Sequence, residues 1–491
     1  MVEEVNMKKN GLLKVILIVL GALMFVNGVL AILGYFVPAL EGKFTMISVG
    51  EVISNFVQSF AYFVDALVYL LLIGAFYGVL SEILAYKKLL ENITIKFKNS
   101  SKVLLIVFTV LFAVLAAFSG QISVLLVFVP FVVAILVSLG YDKLVAISST
   151  VVSILVGLMS GIFVTLRDPN NYYGYSLTTF EGIAGSEMLA NLWPKIILLI
   201  LSTVLLVLFI LRHVKSVQNK KVKYELNESN EVEVSEVSQD YKKIKTWPII
   251  VIMSMLFVLL ILGHMPWKTL FGIECFDKFN TWLLGIKIGE FSVFNNLVSN
   301  NIFAFGNWTS GFGSNYLATS ITLVVFTLLL TIIYRVKFSD MVSNFVNGTK
   351  RILPVVITML LCYTILVCSY NHGFVQTIIT WLNDIIGINV GTTAIISALA
   401  TLLHSDMFYT VAGSLVPMMQ NVTDESMFST CALTFQSIYG LVSMIAPTSL
   451  FLVFAVKYFD VPYTSFVKYI WRFILMLFLL ILLVLLVLAL I

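Results

Sequence analysis

Charge is what this chain has least of. Asp, Glu, Lys and Arg make up 11% of its 491 residues against 60% hydrophobic, where an average soluble domain carries about 25% charged residues. With a mean hydropathy of +1.01, that composition excludes an ordinary soluble protein. The net charge of +4 is too small to mark a nucleic-acid-binding surface. Cysteine is scarce too. The four present (Cys275, Cys362, Cys368, Cys431) lie mostly in apolar segments without metal-ligand spacing and read as small core residues. No glycine-rich loop ends in Lys-Ser/Thr, which excludes a self-contained ATP-driven pump. A membrane-embedded enzyme would need a His/Asp or Cys/His constellation near one face, and none stands out. A passive channel would need a repeated charged ring or filter-like loop, also missing. The apolar run from Gly11 to Val37 follows Lys8 and Lys9 but is too long for a cleavable signal peptide and lacks its cleavage site. It reads as a first span.

What is there is a succession of long apolar runs separated by short charged patches. These predict an all-α polytopic membrane protein of about nine transmembrane helices plus two hairpins. Lys and Arg clusters place the N-terminus in the cytoplasm, and the chain is expected as a multi-pass protein of the plasma membrane.

Residues 1–213 form a first unit. Its spans are expected at 11–35 and 61–85, with helices lying along the interface at 47–60 and 87–100. A hairpin follows at 102–140, either two full spans or one re-entrant loop, then a broken span at 144–164 rich in small and polar residues, and a span at 190–213. Residues 214–246 are a charged cytoplasmic linker. Residues 247–314 supply one connecting span and an external loop.

Residues 315–491 form the second unit. Spans at 316–335 and 352–370 flank a charged cytoplasmic segment (Arg335 to Arg351). An interfacial helix at 374–386, a hairpin at 390–420, a broken span at 428–456 and a last span complete it. Gln436-Ser437-Ile438-Tyr439-Gly440 reads as the point where that broken span is interrupted. His213, His264 and His372 fall at span ends, where solvation is expected.

The order of elements in the first unit thus recurs in the second, and Val129-Pro130 and Val416-Pro417 sit in matching return arms. Charge puts the ends of the two hairpins on opposite sides, which predicts an inverted repeat. Such repeats with interrupted helices near the midplane are a recurring transporter plan. The amino ends of half-helices attract anions, while loosened carbonyls hold cations. Ionisable residues are costly in such surroundings, and the polar knot Thr401, His404, Ser405 and Asp406 is the sharpest case. His404 and Asp406 read as a proton-coupling pair or a reader of a substrate amino group, or else as groups facing an aqueous vestibule. Thr448 and Ser449 read as site hydroxyls, or as groups satisfying a backbone freed by Pro447. Gly157 and Gly161 have the spacing of helix packing.

Thr434-Phe435-Gln436, Gly440, Ile445-Ala446-Pro447-Thr448-Ser449 and Val461-Pro462-Tyr463 with Lys468 resemble the carboxyl-terminal region of YfcC- and DcuC-like carriers. Phe118 to Pro130 and Leu139-Gly140-Tyr141-Asp142 fall where that family has its first hairpin. This is the C4-dicarboxylate anaerobic carrier family of the ion transporter superfamily. The resemblance implies a secondary active transporter for a small carboxylate-bearing metabolite, an amino acid or a C4-dicarboxylate. Transport would be driven by coupling to Na+ or H+ or by exchange, with no bound cofactor and often in a homodimer. It implies substrate-binding residues Ser119, Gly120, Gln121 and Ser123 at the first tip, and Ser153 and Gly157 in the first broken span. In the second half it implies His404, Ser405 and Asp406 at the tip, and Gln436, Ser437, Gly440, Thr448 and Ser449 around the break. Gln121 stands where the family carries acidic residues, and Ser437-Ile438-Tyr439-Gly440 where it reads Gly-Asp-Gly.

Overall fold

A backbone in lipid has no water to satisfy its amides and carbonyls, so a spanning chain closes its hydrogen bonds within helices. The computed structural model describes residues 11–119, 122–162, 191–218, 244–264, 267, 272–294, 315–404, 410–419 and 425–490. Almost all of these are helical. The sheet among them is a two-stranded ribbon of β1 (Lys287–Ile288) and β2 (Phe291–Ser292). Among the described residues, eight helices of at least 18 residues are apolar enough to cross a membrane. The chain is a multi-pass, all-α membrane protein.

The first half runs α1 (Gly11–Leu33), α2 (Val49–Tyr62), α3 (Val64–Glu82), α4 (Leu84–Phe97) and α5 (Ser101–Ser119). The return arm is α6 (Ile122–Leu125), a 3-10 turn at Leu126–Phe128, and α7 (Val129–Ser138) with Pro130 in its first turn. Then come α8 (Lys143–Ser160) and α9 (Leu192–Gln218). Helices α10 (Trp247–His264) and α11 (Cys275–Leu284) connect the halves. The second half runs α12 (Asn315–Ile333), α13 (Phe338–Asn371), α14 (Phe374–Ile386) and α15 (Val390–Leu403). A π-helical segment at Val411–Leu415 leads into α16 (Val416–Met419), followed by α17 (Glu425–Ser443), α18 (Leu450–Tyr458) and α19 (Tyr463–Leu490).

The two halves meet where α3 crosses α13, and glycine sets the distance. A Cβ on Gly74 would lie 2.7 Å from the Gly348 carbonyl, and one on Gly78 would lie 2.7 Å from the Gly348 Cα. Small residues let membrane helices approach this closely. Two turns of α3 also hold the first hairpin: Tyr69 and Tyr77 donate their hydroxyls to the Ser123 and Val127 carbonyls, at 2.5 and 2.6 Å. Those carbonyls lie in and beside the 3-10 turn, where regular helical pairing is interrupted.

Helix α2 is apolar outward and polar inward. Val49, Ile53, Val57 and Phe60 are exposed, whereas Asn55 and Ser59 are buried, and Asn55 Nδ2 donates to Cys368 Sγ at 3.2 Å. That arrangement suits a helix whose outer face meets lipid. Its start is capped reciprocally by Ser48 and Glu51, and the Ser48 amide and hydroxyl hold the Glu51 carboxyl below its ordinary value. His372 joins this corner, its Nδ1 2.5 Å from Thr45 Oγ1 and its Nε2 3.9 Å from Glu51.

Several expectations change. The second of those spans begins earlier than expected: α13 starts at Phe338, inside the charged segment, and runs for 34 residues with Pro354 inside, and Thr358 Oγ1 donates to the Pro354 carbonyl. Gln436 to Gly440 do not interrupt a helix, because α17 is continuous from Glu425 to Ser443. The break falls between Ser443 and Leu450, around Pro447, which has no N–H to donate. The first broken span stays helical to Ser160, with its irregularity a π-helical turn at Ser148–Val152. The expected connecting span at 247–264 corresponds to the 18-residue, uniformly apolar α10.

His213 and His372 are not solvated. The side chain of His213 is 9% exposed, with Nε2 3.1 Å from Asp142 Oδ2. Its ring packs edge-on against Tyr469. Asp142 uses its other oxygen to cap α8 through the Val145 amide. The hairpin arms differ in reach. At 1.5 Å per residue, the 19 residues of α5 extend about 28 Å, close to the roughly 30 Å hydrocarbon thickness. The 14 residues of α15 reach only about 21 Å.

Candidate functional site

The last carbonyls of a helix have no partner inside it, and in lipid another element must provide one. At the end of α8 that element is α17. Gln436 Nε2 donates to the Leu158 carbonyl at 2.9 Å, and Ser437 Oγ donates to the Met159 carbonyl at 3.2 Å. The contact is tight. A Cβ on Gly161 would collide with the Gln436 amide, and one on Gly440 would lie 3.1 Å from the Leu155 carbonyl. On its other flank α8 leans on α5. A Cβ on Gly157 would lie 2.8 Å from Ala116 Cβ, and the Ile162 amide donates to the Ala117 carbonyl at 2.8 Å. The end of α8 is thereby tied to the last turn of the first hairpin's outgoing arm.

The second hairpin repeats this logic with different side chains. Thr448, in the break, donates its hydroxyl to the Leu402 and Thr401 carbonyls at 3.1 and 3.3 Å, covering the end of α15. Cys362 on α13 donates to the Pro447 carbonyl, and Ser397 Oγ on α15 donates to the Phe435 carbonyl on α17 at 2.7 Å. Ser449 is the N-cap of α18 and makes no side-chain cap bond. The positive end of α18 therefore starts next to Thr448, whose hydroxyl reaches the end of α15. His404 is buried there. Its Nε2 lies 3.3 Å from Ser369 Oγ, and its Nδ1 has no hydrogen-bond partner among the described residues.

Gln436, Ser437 and Gly440 thus come together against the end of α8, Gly157 faces α5 instead, and His404, Thr448 and Ser449 lie around the neighbouring end of α15. Ser397 joins the two. Ser153 and Ser123 are engaged elsewhere: the Ser153 hydroxyl donates to the Ser148 carbonyl inside the π-helical turn, and the Ser123 carbonyl is held by Tyr69. Ser119 is the last residue of α5. Gly120, Gln121, Ser405 and Asp406 lie outside the described residues. Among the described residues, no three His, Cys, Asp or Glu side chains gather as a metal site would require.

Ser369, Ser397 and Lys195 were not anticipated. The first two are single hydroxyls in apolar helices, with nothing in their neighbours to distinguish them. Lys195 did carry a signal, being the one basic residue in the apolar run from Ala190 to Leu211.

A model of the family described as C4-dicarboxylate anaerobic carrier matches residues 43–490. No curated protein matches the chain. Among solved structures the chain is similar to the YdaH transporter of Alcanivorax borkumensis. That likeness has 12% identity, 98% of each chain covered and a TM-score of 0.41, too loose to transfer a residue or an activity.

Proposed function

Because the chain belongs to the C4-dicarboxylate anaerobic carrier family and is a carrier rather than an enzyme, we propose that it is a secondary active transporter for a small dicarboxylate. It moves its substrate across the plasma membrane by coupling to Na+ or H+ or by exchange. The observation that carries this reading is the pair of helix ends in the bundle interior. The carbonyls closing α8 and α15 are covered by side chains of α17 and of the break after it.

In this reading 1–213 and 315–491 are inverted repeats related across the α3–α13 glycine crossing, with the N-terminus in the cytoplasm. The amino end of α18 meets a substrate carboxylate, and the neighbouring hydroxyls and amides orient it. A substrate with an amino group as well is the second reading, favoured by His404 and Asp406 at the second tip.

Counterflow of labelled succinate in proteoliposomes tests the first reading, with aspartate as competitor and with Na+ or a pH gradient imposed in turn. Succinate exchange is expected in the wild type and is lost in Asp406→Ala and Thr448→Ala. Exchange of neither succinate nor aspartate would refute the proposal, and exchange of aspartate alone would favour the second reading.

A further inference from the structure

His404 ends α15 as its C-cap, its backbone amide donating to the Ala400 carbonyl at 2.7 Å. The residue is 1% exposed, and its Nδ1 makes no hydrogen bond among the described residues. Leaving a buried polar atom unpaired is costly. Whether that atom is a donor or an acceptor follows from the other ring nitrogen. Nε2 lies 3.3 Å from the hydroxyl of Ser369, which is itself fully buried on α13. Helical serines and threonines can donate to the carbonyl four residues back, as Thr358 and Thr364 of the same helix do. Among the described residues Ser369 does not; its hydrogen bond is the one to His404.

A neutral imidazole carries one hydrogen. If Nε2 holds it and donates to Ser369, the serine hydrogen and the Nδ1 lone pair both go unmatched. If Ser369 donates to Nε2 instead, the hydrogen sits on Nδ1 and is the one left over. An imidazolium would add a buried charge. The second arrangement strands least, so Nδ1 is an unused donor. It takes an acceptor oxygen and has nothing to offer an ammonium group. Its place is the candidate site. Ser369 and Cys362 are seven residues apart on α13 and share a face, and Cys362 meets the Pro447 carbonyl in the break as Ser369 meets His404. Thr448, next to Pro447, covers the Thr401 and Leu402 carbonyls just before His404.

Resting on the carrier reading above, we propose that His404 is a substrate-binding residue whose Nδ1–H donates to a carboxylate oxygen of the substrate. A hydrogen bond to an ionised acceptor is roughly twice as strong as one between neutral groups, so a carboxylate is the partner that best offsets the stranded donor. His404 then reads an acid group. A substrate amino group would have to be met by Asp406 without it.

Two substitutions separate this role from a structural one. The amide nitrogen of asparagine stands as many bonds from Cβ as Nδ1 does, and that of glutamine as many as Nε2. His404→Asn therefore keeps a donor at the Nδ1 position and gives up Ser369, whereas His404→Gln keeps a group for Ser369 and gives up that donor. The measurement is the KM for labelled succinate in proteoliposome counterflow, beside the nitrogen NMR spectrum of histidine-labelled wild type. The KM is expected to rise tenfold or more in His404→Gln and by a smaller factor in His404→Asn. The reverse order, or a KM unchanged in both, overturns the role of His404 and leaves the carrier reading standing. The spectrum, with either variant as the blank among the chain's four histidines, is expected to place the hydrogen on Nδ1. A hydrogen on Nε2 overturns the proposal. Should one variant not survive purification, the other supplies the blank and the spectrum decides. Wild-type vesicles that exchange no carboxylate overturn both readings.

Discussion

Replacing Gln436 by Met removes the amide that covers the Leu158 carbonyl but keeps the length of the side chain. The geometry sets the expected cost. The bond is 2.9 Å long and buried, and Gly161 offers no side chain to fill in. A near-volume-conserving change costs little in packing, under about 1.5 kcal/mol. Most of the loss therefore comes from stranding a buried acceptor, about 1–3 kcal/mol, which corresponds to roughly 5- to 150-fold in the equilibrium between a joined and a parted α8–α17 contact. Gln436→Glu should be worse, because an ionised carboxylate would face the carbonyl. Ser437→Ala, one carbonyl further on, should cost less, about 0.5–1.5 kcal/mol for one neutral bond. The assay is the temperature at which half the detergent-purified protein is lost from its size-exclusion peak, alongside succinate uptake in proteoliposomes. The expected order of stability is wild type, Ser437→Ala, Gln436→Met, Gln436→Glu. Gln436→Glu melting with or above the wild type would refute the capping argument.

Gly348→Val should push α3 and α13 apart, since even a Cβ at this position would meet Gly78 Cα at 2.7 Å. Overpacking of this kind costs about 1–3 kcal/mol, read as a lower melting temperature, whereas Gly42→Ala, at a position with open space, isolates the effect of a strained turn. The Ser48–Glu51 cap should show a pH dependence of defined sign. Its folded carboxyl titrates below the ordinary 4.5, so its stabilisation is complete above that value and disappears as pH falls through the lower folded one. Glu51→Gln should melt with less acid sensitivity than the wild type between pH 6 and 3. Identical acid profiles would count against the cap.

Hydropathy and charge placement carried most of the architecture. A 23-residue apolar run such as Gly11–Leu33 must be a helix because nothing else satisfies its backbone in lipid. Pro447 announced a break because a missing N–H acts locally, whatever packs nearby. These are properties of a residue and its immediate neighbours, and they are written in the chain. Gln436 to Gly440 show the other kind. Taken alone, a glutamine, a serine and a glycine within five residues look like a weak point in a span. The structure makes them the rigid face that receives α8, since Gln436 and Ser437 spend their donors on carbonyls 278 residues away.

Lys195 divides the same way. That a lysine interrupts an apolar run was visible beforehand. That it is wholly enclosed depends on which face of α9 turns inward, and tertiary packing decides that. The chain by itself determined that it would be a bundle of membrane helices with two polar interruptions, because solvation in lipid is a local constraint. Only the folded bundle decided which polar groups spend their hydrogen bonds on holding helix ends, because partners far apart in sequence meet only there.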